Sequence, residues 1–421
     1  MLTDEVLDKV TERLIERINK GNEYIIKEIG KSIAEIKTVS PSKVHQLVAT
    51  LKYGGSYEKI VQRLAEITKL NTKEIYEIFE NVAKSDYEFA EQFYKYRDID
   101  YIPYNENTEL KNLVNSIAKL TADEYVNISN TQAIGYAVRD MDGNLVFRDI
   151  KQTYYEMVDE AVLNVAQGKE TFDDALYRSL KDIGESGLRV VYPSTYTDKD
   201  GKVQYYSKRL DSALRMNMKD SLRQLHNESQ QLFGEEFDAD GVEISVHSYP
   251  AEDHADIQGR QFTIEEYQKL QVMGYAKDYK GEPVDMRRYS KKGHMSFRPI
   301  SEYNCYHKAF SIVLGADKPE YTEEQLEEIR EENRIGFDFD GKHYTKYEGT
   351  QLQRRLELEL RKAKDNQILG RASKNNQLIA DSQKRITQLT NKYKQLIRES
   401  KLPNAIDRAR VSGYRRVAIK K

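Results

Sequence analysis

The chain has 421 residues, of which 32% are charged and 39% are hydrophobic, and its formal net charge is −3. A single cysteine, Cys305, excludes an intrachain disulfide framework and any cysteine-rich zinc module. The near-neutral charge argues against a protein that binds nucleic acid over its whole surface. Because the sequence contains neither a signal peptide nor a membrane helix, we expect a soluble protein without a membrane partner.

Residues 1 to about 130 have the pattern of amphipathic helices, with apolar side chains recurring every three or four positions. We predict five helices in this region, which begin near Val6, Pro41, Tyr57, Thr72 and Leu110. Gly21-Asn22 is predicted to end the first helix, and Asn71-Thr72 is predicted to open a new helix after the third.

After about residue 130 the pattern changes to short strands and turns. We predict a single strand at 242–248 and three hairpins, formed by 134–138 with 145–147, 188–192 with 203–206, and 335–339 with 343–345. Helices are predicted at 154–167, 171–183 and 209–232. Four Asp-x-Asp-Gly sequences begin at Asp140, Asp198, Asp238 and Asp338. None has both the first carboxylate and the closing glutamate of an EF-hand loop, so we interpret them as hairpin turns.

The C-terminal part combines long helices with a strong positive charge. One polar helix follows Thr350, and a second is predicted over 376–399. Residues 371–421 carry 14 Lys and Arg against three acidic residues, a net charge of +11, which leaves −14 for the rest of the chain. Two interpretations stay open, namely contact with DNA phosphates and docking of a solvated helix on the acidic run 320–332. The DNA-contact candidates are Arg371, Lys374, Lys384, Arg385, Lys392, Lys394, Arg415 and Arg416.

These patterns together predict an α+β protein in three parts. The first is a helical N-terminal region (1–130). The second is a central mixed module with short β-hairpins (131–350), and the third consists of long C-terminal helices with a basic tail (351–421).

Histidine and cysteine side chains are concentrated in the central module. The candidates for a metal site are His247, His254, Cys305 and His307, and zinc is the cofactor that they would suit. Their spacing matches no zinc motif, so the alternative is that they hydrogen-bond irregular loops around a small sheet. A nucleophilic Cys305 with a histidine base is a further alternative. Walker A, Gly-x-Gly-x-x-Gly, His-Glu-x-x-His and Gly-x-Ser-x-Gly motifs are absent, which lowers the expectation of an enzyme.

Several short motifs, in this order along the chain, resemble the phage minor capsid protein 2 family, a head-morphogenesis group akin to the Mu F-type proteins encoded beside the portal. The motifs are Arg215-Met-Asn217, Ser245-Val-His247, Asp253-His254-Ala255, Gln258-Gly259, Tyr303-Asn304-Cys305-Tyr306-His307 and Tyr347-Glu-Gly-Thr-Gln351-Leu-Gln-Arg354. The chain departs from the family at Tyr306, where an arginine is usual, and before His254, where an Ala-Arg-Pro-like segment is usual. The strong matches run from about Leu210 to Lys362.

The resemblance implies a structural protein of a phage or prophage virion. Such a protein would be present in few copies inside the capsid head next to the portal, after a stage in the host cytoplasm, and would assist assembly or DNA packaging. Its partners would be the portal protein and capsid or scaffold proteins, and the charge of the basic C-terminal tail adds packaged double-stranded DNA to these expected partners. The resemblance implies no catalytic residue. The motif positions of unknown role are Arg215, Asn217, Gln258, Gly259, Asn304, Tyr347, Gln351 and Arg354.

One functional alternative stays open at this point. It is a metal-dependent hydrolase, nuclease or transferase built on the four histidine and cysteine residues of the central module.

Overall fold

The computed structural model describes residues 4–37, 56–128, 134–140, 143–150, 152–153, 156, 172–197, 201, 203–289, 295–301, 305, 307–316 and 318–416. The helix predicted near Pro41 and most of the helix predicted at 154–167 lie outside these residues, as does Asn304. Among the residues described, no helix is both long enough and apolar enough to cross a membrane.

Helices form most of the described structure, and small antiparallel sheets form the rest, so the predicted α+β class is confirmed. The helices are α1 (Asp4–Lys37), α2 (Ser56–Arg97), α3 (Thr108–Ile128), α4 (Phe172–Ser186), α5 (Leu210–Glu236), α6 (Ile264–Met273), α7 (Glu323–Ile335), α8 (Lys346–Ala372) and α9 (Asn376–Ser400). Helices α1, α2, α3 and α5 form one packed group, α8 packs against α1 and α4, and α8 and α9 form a helical hairpin.

The first helix does not end at Gly21, as predicted, but continues to Lys37. Its apolar face continues past the glycine, with Ile25 and Ile29 buried. A Cβ atom at Gly21 would lie 2.9 Å from Cδ1 of Ile67 on α2, so the glycine lies where two helices approach closely. The packing of this face outweighs the roughly 1 kcal/mol by which glycine disfavours a helix interior.

The predicted break at Asn71-Thr72 is also wrong, because α2 runs through it as one helix. Asn71 is buried, and its amide oxygen accepts a hydrogen bond from Nη1 of Arg17 at 3.1 Å. Its Nδ2 donates to the Tyr125 hydroxyl on α3. An asparagine that usually caps helices is therefore used here to join three helices, which sequence alone does not reveal.

The strands form two sheets and three isolated hairpins in the described chain. They are β1 (Ile134–Arg139), β2 (Leu145–Asp149), β3 (Arg189–Thr197), β4 (Val203–Arg209), β5 (Gly241–Ile244), β6 (Gln261–Thr263), β7 (Tyr275–Lys277), β8 (Pro283–Asp285), β9 (Arg288–Tyr289), β10 (Met295–Ser296), β11 (Ala309–Ile312), β12 (Phe337–Phe339) and β13 (Lys342–Tyr344). One sheet has the order β2-β1-β3-β4 and the other β11-β5-β6, and all pairs are antiparallel.

The three predicted hairpins are confirmed, and the final glycines of three of the four Asp-x-Asp-Gly sequences lie between their paired strands. The glycines there, Gly143, Gly201 and Gly341, have φ between +73° and +80°, which other residues rarely adopt. The fourth sequence, at Asp238, is not a hairpin turn, because it connects helix α5 to strand β5.

A buried ionic network joins the N-terminal, central and C-terminal elements. Nη2 of Arg209, at the end of β4, donates to Oδ2 of Asp365 on α8 at 3.0 Å. Nδ2 of Asn22 on α1 donates to the other oxygen of Asp365 at 3.3 Å. Asp211 at the start of α5 lies 3.4 Å from Nε of Arg209 and 3.6 Å from Nη1 of Arg361 on α8. The network therefore fixes α1, the larger sheet, α5 and α8 relative to one another.

The apolar core is divided into three clusters. The largest draws on α1 to α5, the four-stranded sheet and the ends of α8 and α9. A second lies between α8, α9 and the β12–β13 hairpin, and a third fills the space among β5, β6, α6 and the β7–β8 hairpin. The three-part division of the chain stays a prediction, although the largest cluster takes residues from each part.

Candidate functional site

Three segments that are distant in sequence line one cavity of about 280 Å³. They are the loop after β5, the segment before β11 and the first turns of α8. The lining residues are His247, Tyr249, Ala251, His254, Arg298, Cys305, His307, Tyr347, Thr350, Gln351 and Arg354. All four candidate metal ligands and three motif positions of α8 therefore surround the same space.

The loop after β5 leaves the sheet earlier than predicted, since β5 ends at Ile244 rather than near Ser248. The main-chain N–H of His247 donates not to a neighbouring strand but to Oε1 of Gln258, at 3.0 Å. Gly259, with φ of +69°, donates its N–H to the carbonyl of Ile244 at 2.8 Å. A Cβ atom there would lie 2.6 Å from Leu326 of α7, so both the turn and the packing require glycine.

His254 lies in a short 3-10 turn, Glu252–His254, and is almost fully buried. Its Nε2 lies 2.7 Å from the main-chain oxygen of Arg298. The guanidinium of Arg298 in turn donates two hydrogen bonds, of 2.7 and 2.6 Å, to the carboxylate of Asp253. This bidentate ion pair joins the turn that carries His254 to the segment that contains Arg298. Asp253, the residue before His254, therefore fixes the position of the imidazole.

Cys305 and His307 lie immediately before strand β11. The main-chain oxygen of Cys305 accepts a hydrogen bond from Arg223 of helix α5. Lys308 exchanges two hydrogen bonds with Ser245, one from its N–H to the serine hydroxyl at 2.8 Å and one from the N–H of Ser245 to its carbonyl at 2.9 Å. These bonds bring both side chains to the same side of the segment, as their i, i+2 spacing predicts for an extended chain.

His254, Cys305 and His307 form a compact cluster, with all three ligand atoms within 4.8 Å of one another. Nδ1 of His254 lies 3.3 Å from Nδ1 of His307, and Sγ of Cys305 lies 3.4 and 3.8 Å from these two nitrogens. His247 lines the cavity but lies outside this cluster, with its ring centroid 6.1 Å from that of His307. The structure thus brings together three of the four predicted ligands.

The tautomers of both buried histidines follow from their partners. A carbonyl oxygen only accepts, so Nε2 of His254 carries the proton. Oε1 of Gln258 accepts from a main-chain N–H and lies 3.2 Å from Nε2 of His307, so this nitrogen also donates. In the neutral imidazoles both Nδ1 atoms are consequently unprotonated, and they face each other and the sulfur of Cys305.

Burial sets the charge state of the cluster. It lowers the pKa of His307 well below its ordinary value, and the positive charges of neighbouring groups lower it further. Burial also lowers the pKa of His254, against the opposing hydrogen bond to the Arg298 carbonyl. It raises the pKa of the Cys305 thiol, although hydrogen bonds from the main chain oppose this. Near neutral pH the cluster alone therefore consists of two neutral imidazoles and a neutral thiol.

Helix α8 closes the cavity through its N-terminal turn. Thr345 caps this helix in a reciprocal capping box with Glu348. The N–H of Tyr347 donates to Oδ1 of Asn333 at 2.9 Å, and Nδ2 of Asn333 donates to the carbonyl of Pro250 at 3.3 Å. Asn333 therefore connects the start of α8 to the loop that carries the histidines.

The motif positions of helix α5 lie away from this cavity and connect helices. Arg215 pairs with Glu12 on α1. Nδ2 of Asn217 donates to Oε2 of Glu124 on α3 at 2.6 Å. Their roles in the described structure are thus to attach α5 to the N-terminal helices.

The eight DNA-contact candidates are all exposed, which their proposed role requires. Two of them also form surface ion pairs, Arg385 with Glu359 at 3.7 Å and Lys392 with Asp340. Such exposed pairs contribute little to stability and break readily.

Sequence reasoning missed three residues that build the cavity. Arg223 donates a hydrogen bond to the main-chain oxygen of Cys305, and the main-chain oxygen of Arg298 accepts one from His254. Contacts with main-chain atoms do not depend on the type of residue, so they leave no pattern in the sequence. Asn333 directly follows the acidic run 320–332 and becomes important only through tertiary contacts. The sequence offered one signal for Arg298. Asp253 lies beside His254 in a motif, and a carboxylate in that position indicates a paired cation.

Comparison with models of known families places the chain among structural proteins of the phage head. It belongs to the phage minor capsid protein 2 family, whose model matches residues 2–398. The resemblance recognised from the sequence motifs is thereby confirmed, and the chain is a phage minor capsid protein. Neither the curated proteins nor the solved structures give a match.

Proposed function

We propose that this minor capsid protein is present in few copies inside the head next to the portal, where it assists head assembly or DNA packaging. The observation that carries the proposal is the family match, which extends over residues 2–398. The proposed partners are the portal protein and capsid or scaffold proteins. Exposed apolar side chains on and after the N-terminal helices, among them Phe89, Tyr96, Ile102 and Leu120, support docking onto another head protein.

The C-terminal helices support contact with packaged double-stranded DNA. Leu389, Tyr393 and Leu396 of α9 are buried against α8 and the β12–β13 hairpin, which leaves the polar face of α9 in solvent. Lys384 and Lys394 are exposed there. Basic side chains on an exposed helix bind phosphates mainly by releasing counterions, so this contact would be independent of base sequence and sensitive to salt.

We propose no enzymatic role. The alternative of a metal-dependent hydrolase, nuclease or transferase needs a general base beside the reacting centre. The described residues that line the cavity include His247 but no carboxylate, and two of them, Arg298 and Arg354, are arginines. His247 can itself act as a base, so the proposal of a structural role rests on the family match rather than on this lining.

Quantitative mass spectrometry of purified particles, intact and after DNA release, tests this proposal. We expect the chain at a small fraction of the copy number of the major capsid protein. Cross-linking followed by mass spectrometry should join it to the portal protein. Absence from particles, or a copy number equal to that of the major capsid protein, would contradict the proposal. Loss of the chain on DNA release would assign it to the ejected material, and retention would assign it to the shell.

A further inference from the structure

We propose that His254, Cys305 and His307 bind one zinc ion, and that the fourth coordination position of this ion faces the cavity lined by the first turns of α8. The inference does not rest on the proposed place of the protein in the head. It rests on the positions of three ligand atoms, on the hydrogen bonds that orient the two imidazole rings, and on the space beside them.

The distances within the cluster are those between the corners of a zinc tetrahedron. Zinc–nitrogen bonds of about 2.0–2.1 Å and a zinc–sulfur bond of about 2.3 Å place two nitrogens about 3.3 Å apart and nitrogen and sulfur about 3.6 Å apart. The observed separations are 3.3 Å between the Nδ1 atoms of His254 and His307, and 3.4 and 3.8 Å from these atoms to Sγ of Cys305. One ion can therefore reach all three atoms with only small movements of the side chains.

With both Nε2 atoms directed at oxygen acceptors, the thiol of Cys305 is the hydrogen-bond donor that these three side chains share. Both Nδ1 atoms present lone pairs, because both Nε2 atoms donate to oxygen. The thiol of Cys305 has one proton and can satisfy one nitrogen, which leaves the other lone pair buried without a donor. A buried unsatisfied acceptor costs roughly 1–3 kcal/mol, whereas a metal ion accepts both lone pairs.

The outer partners are those of a metal-binding histidine pair. Ligating histidines almost always donate their second ring nitrogen to a carbonyl or carboxylate oxygen, which fixes the ring. His254 donates to the main-chain oxygen of Arg298, and His307 donates to Oε1 of Gln258. Gln258 is itself fully buried and held by the main chain of His247, so both rings are oriented in advance of binding.

Binding releases one proton from the protein. The thiol of Cys305 loses its proton to solvent as the zinc–sulfur bond forms, and the neutral imidazoles bind without losing one. The ion and the thiolate together carry a charge of +1. Arg298 and Arg354 line the same cavity, so water or a small anion such as hydroxide is the ligand that suits the fourth position.

Metal analysis and cobalt titration of the purified full-length chain test the inference. We expect about one zinc per chain after purification without chelators. Cobalt added to the metal-free protein should give the intense visible bands of tetrahedral coordination and a near-ultraviolet sulfur-to-cobalt band. Because Cys305 is the only cysteine, that band reports a single residue. Wild-type protein that is folded by circular dichroism but shows neither zinc nor the sulfur-to-cobalt band would overturn the inference.

Two variants and two matched controls assign the ligands. Cys305→Ser should abolish the sulfur-to-cobalt band, and Gln258→Leu, which removes only an outer partner, should weaken zinc binding about 10–100-fold. His247→Ala, in the same cavity, and His343→Ala, on the surface, should leave the affinity unchanged. If His247→Ala weakens binding as much as the loss of a ligand, the assignment of a cavity-facing fourth position is wrong.

Azide tests the fourth position directly on the wild-type protein. Because azide coordinates an open position on tetrahedral cobalt, we expect it to shift the visible bands of the cobalt form. Unchanged bands at saturating azide would overturn the assignment of an exchangeable position.

Discussion

Asp365 is fully buried and accepts hydrogen bonds from Arg209 and Asn22, which lie 156 and 343 residues away in the sequence. We expect Asp365→Ala to lower the free energy of unfolding by about 3–5 kcal/mol, because it removes one of the two carboxylates that face the buried guanidinium of Arg209 and the acceptor of its Nη2. Urea denaturation followed by circular dichroism measures this loss. The matched control is Asp407→Ala, which removes the exposed ion pair with Arg410 and should cost at most about 1 kcal/mol. Equal effects of the two substitutions would contradict the role assigned to the network.

Asp211 makes stability depend on pH in the acid range. Burial by itself raises the pKa of this carboxyl, but the charges of Arg361, Arg209 and Arg215 outweigh burial and hold the pKa far below its usual range. A carboxyl with a depressed native pKa contributes stability that is fully present above the unfolded pKa of about 3.9 and is lost as the pH falls towards the native pKa. The free energy of unfolding should therefore fall between about pH 4 and pH 2. In Asp211→Asn this dependence should be weaker, and an unchanged pH profile would contradict the assignment.

At the scale of elements, two glycines of α1 allow neighbouring helices to approach closely, Gly21 towards α2 and Gly30 towards the end of α8. The atoms that an added Cβ would contact differ between the two positions. A Cβ atom at Gly30 would lie 2.5 Å from Cβ of Ala372 and 3.2 Å from the main-chain nitrogen of Ser373. At Gly21 it would lie 2.9 Å from the terminal methyl of Ile67, which can rotate away, and 3.7 Å from Cδ2 of Leu64, which is an ordinary contact distance.

We therefore expect opposite results from the same substitution in one helix. Gly30→Ala should lower the free energy of unfolding by about 1–3 kcal/mol, because α1 must move away from the end of α8. Gly21→Ala should be neutral or stabilising by up to about 1 kcal/mol, because alanine favours the helix. Thermal denaturation of the two variants measures the difference. A Gly30→Ala protein as stable as the wild type would show that α1 does not pack closely on α8.

The elements themselves were largely predictable from the sequence, and their boundaries were less so. The hairpins followed from alternating patterns and from glycines at turns, which are local signals. The errors at Gly21 and Asn71 have one cause, since both residues normally interrupt or cap helices and are used here in contacts between helices. Local propensity does not report such contacts, because they depend on distant residues.

For the candidate site, the sequence identified the candidate ligands but not their arrangement. His254, Cys305 and His307 were chosen by residue type and motif, and the structure places them together. His247 satisfied the same criteria and lies apart from the cluster. His247 lies apart because its main-chain N–H donates to the side chain of Gln258 instead of to a neighbouring strand, so β5 ends before this residue. No pattern of residue types predicts that hydrogen bond.

At the scale of the whole molecule, the distribution of charge predicts a salt-dependent interaction with DNA. Replacing Arg371, Lys374, Lys384 and Lys394 by glutamine should weaken binding to duplex DNA at low salt. For each phosphate that the protein no longer neutralises, the slope of log affinity against log salt should decrease by about 1. Fluorescence anisotropy with a labelled duplex at several salt concentrations measures both quantities.

A control with the same change in net charge separates a local contact from a general attraction. Lys59, Lys73, Lys84 and Lys119 are exposed on the N-terminal helices, and their replacement by glutamine should leave the salt slope unchanged. An equal effect of the two sets would mean that net charge alone governs binding. An unchanged slope in the first set would remove the DNA contact from the proposed function.

The length of α9 has a consequence for the kind of DNA that it could hold. With 25 residues it is about 38 Å long, close to the 34–36 Å of one turn of the double helix. Lys384 and Lys392 are eight residues apart, about 12 Å along the axis, and the major groove is also about 12 Å wide. The length of the helix is thus close to the repeat of the duplex, and the interval between the two cations is close to the width of its groove, and neither dimension depends on the identity of the bases. Such a helix would hold every stretch of a genome equally well, so the genome could slide past it during filling of the head without pausing at preferred sequences.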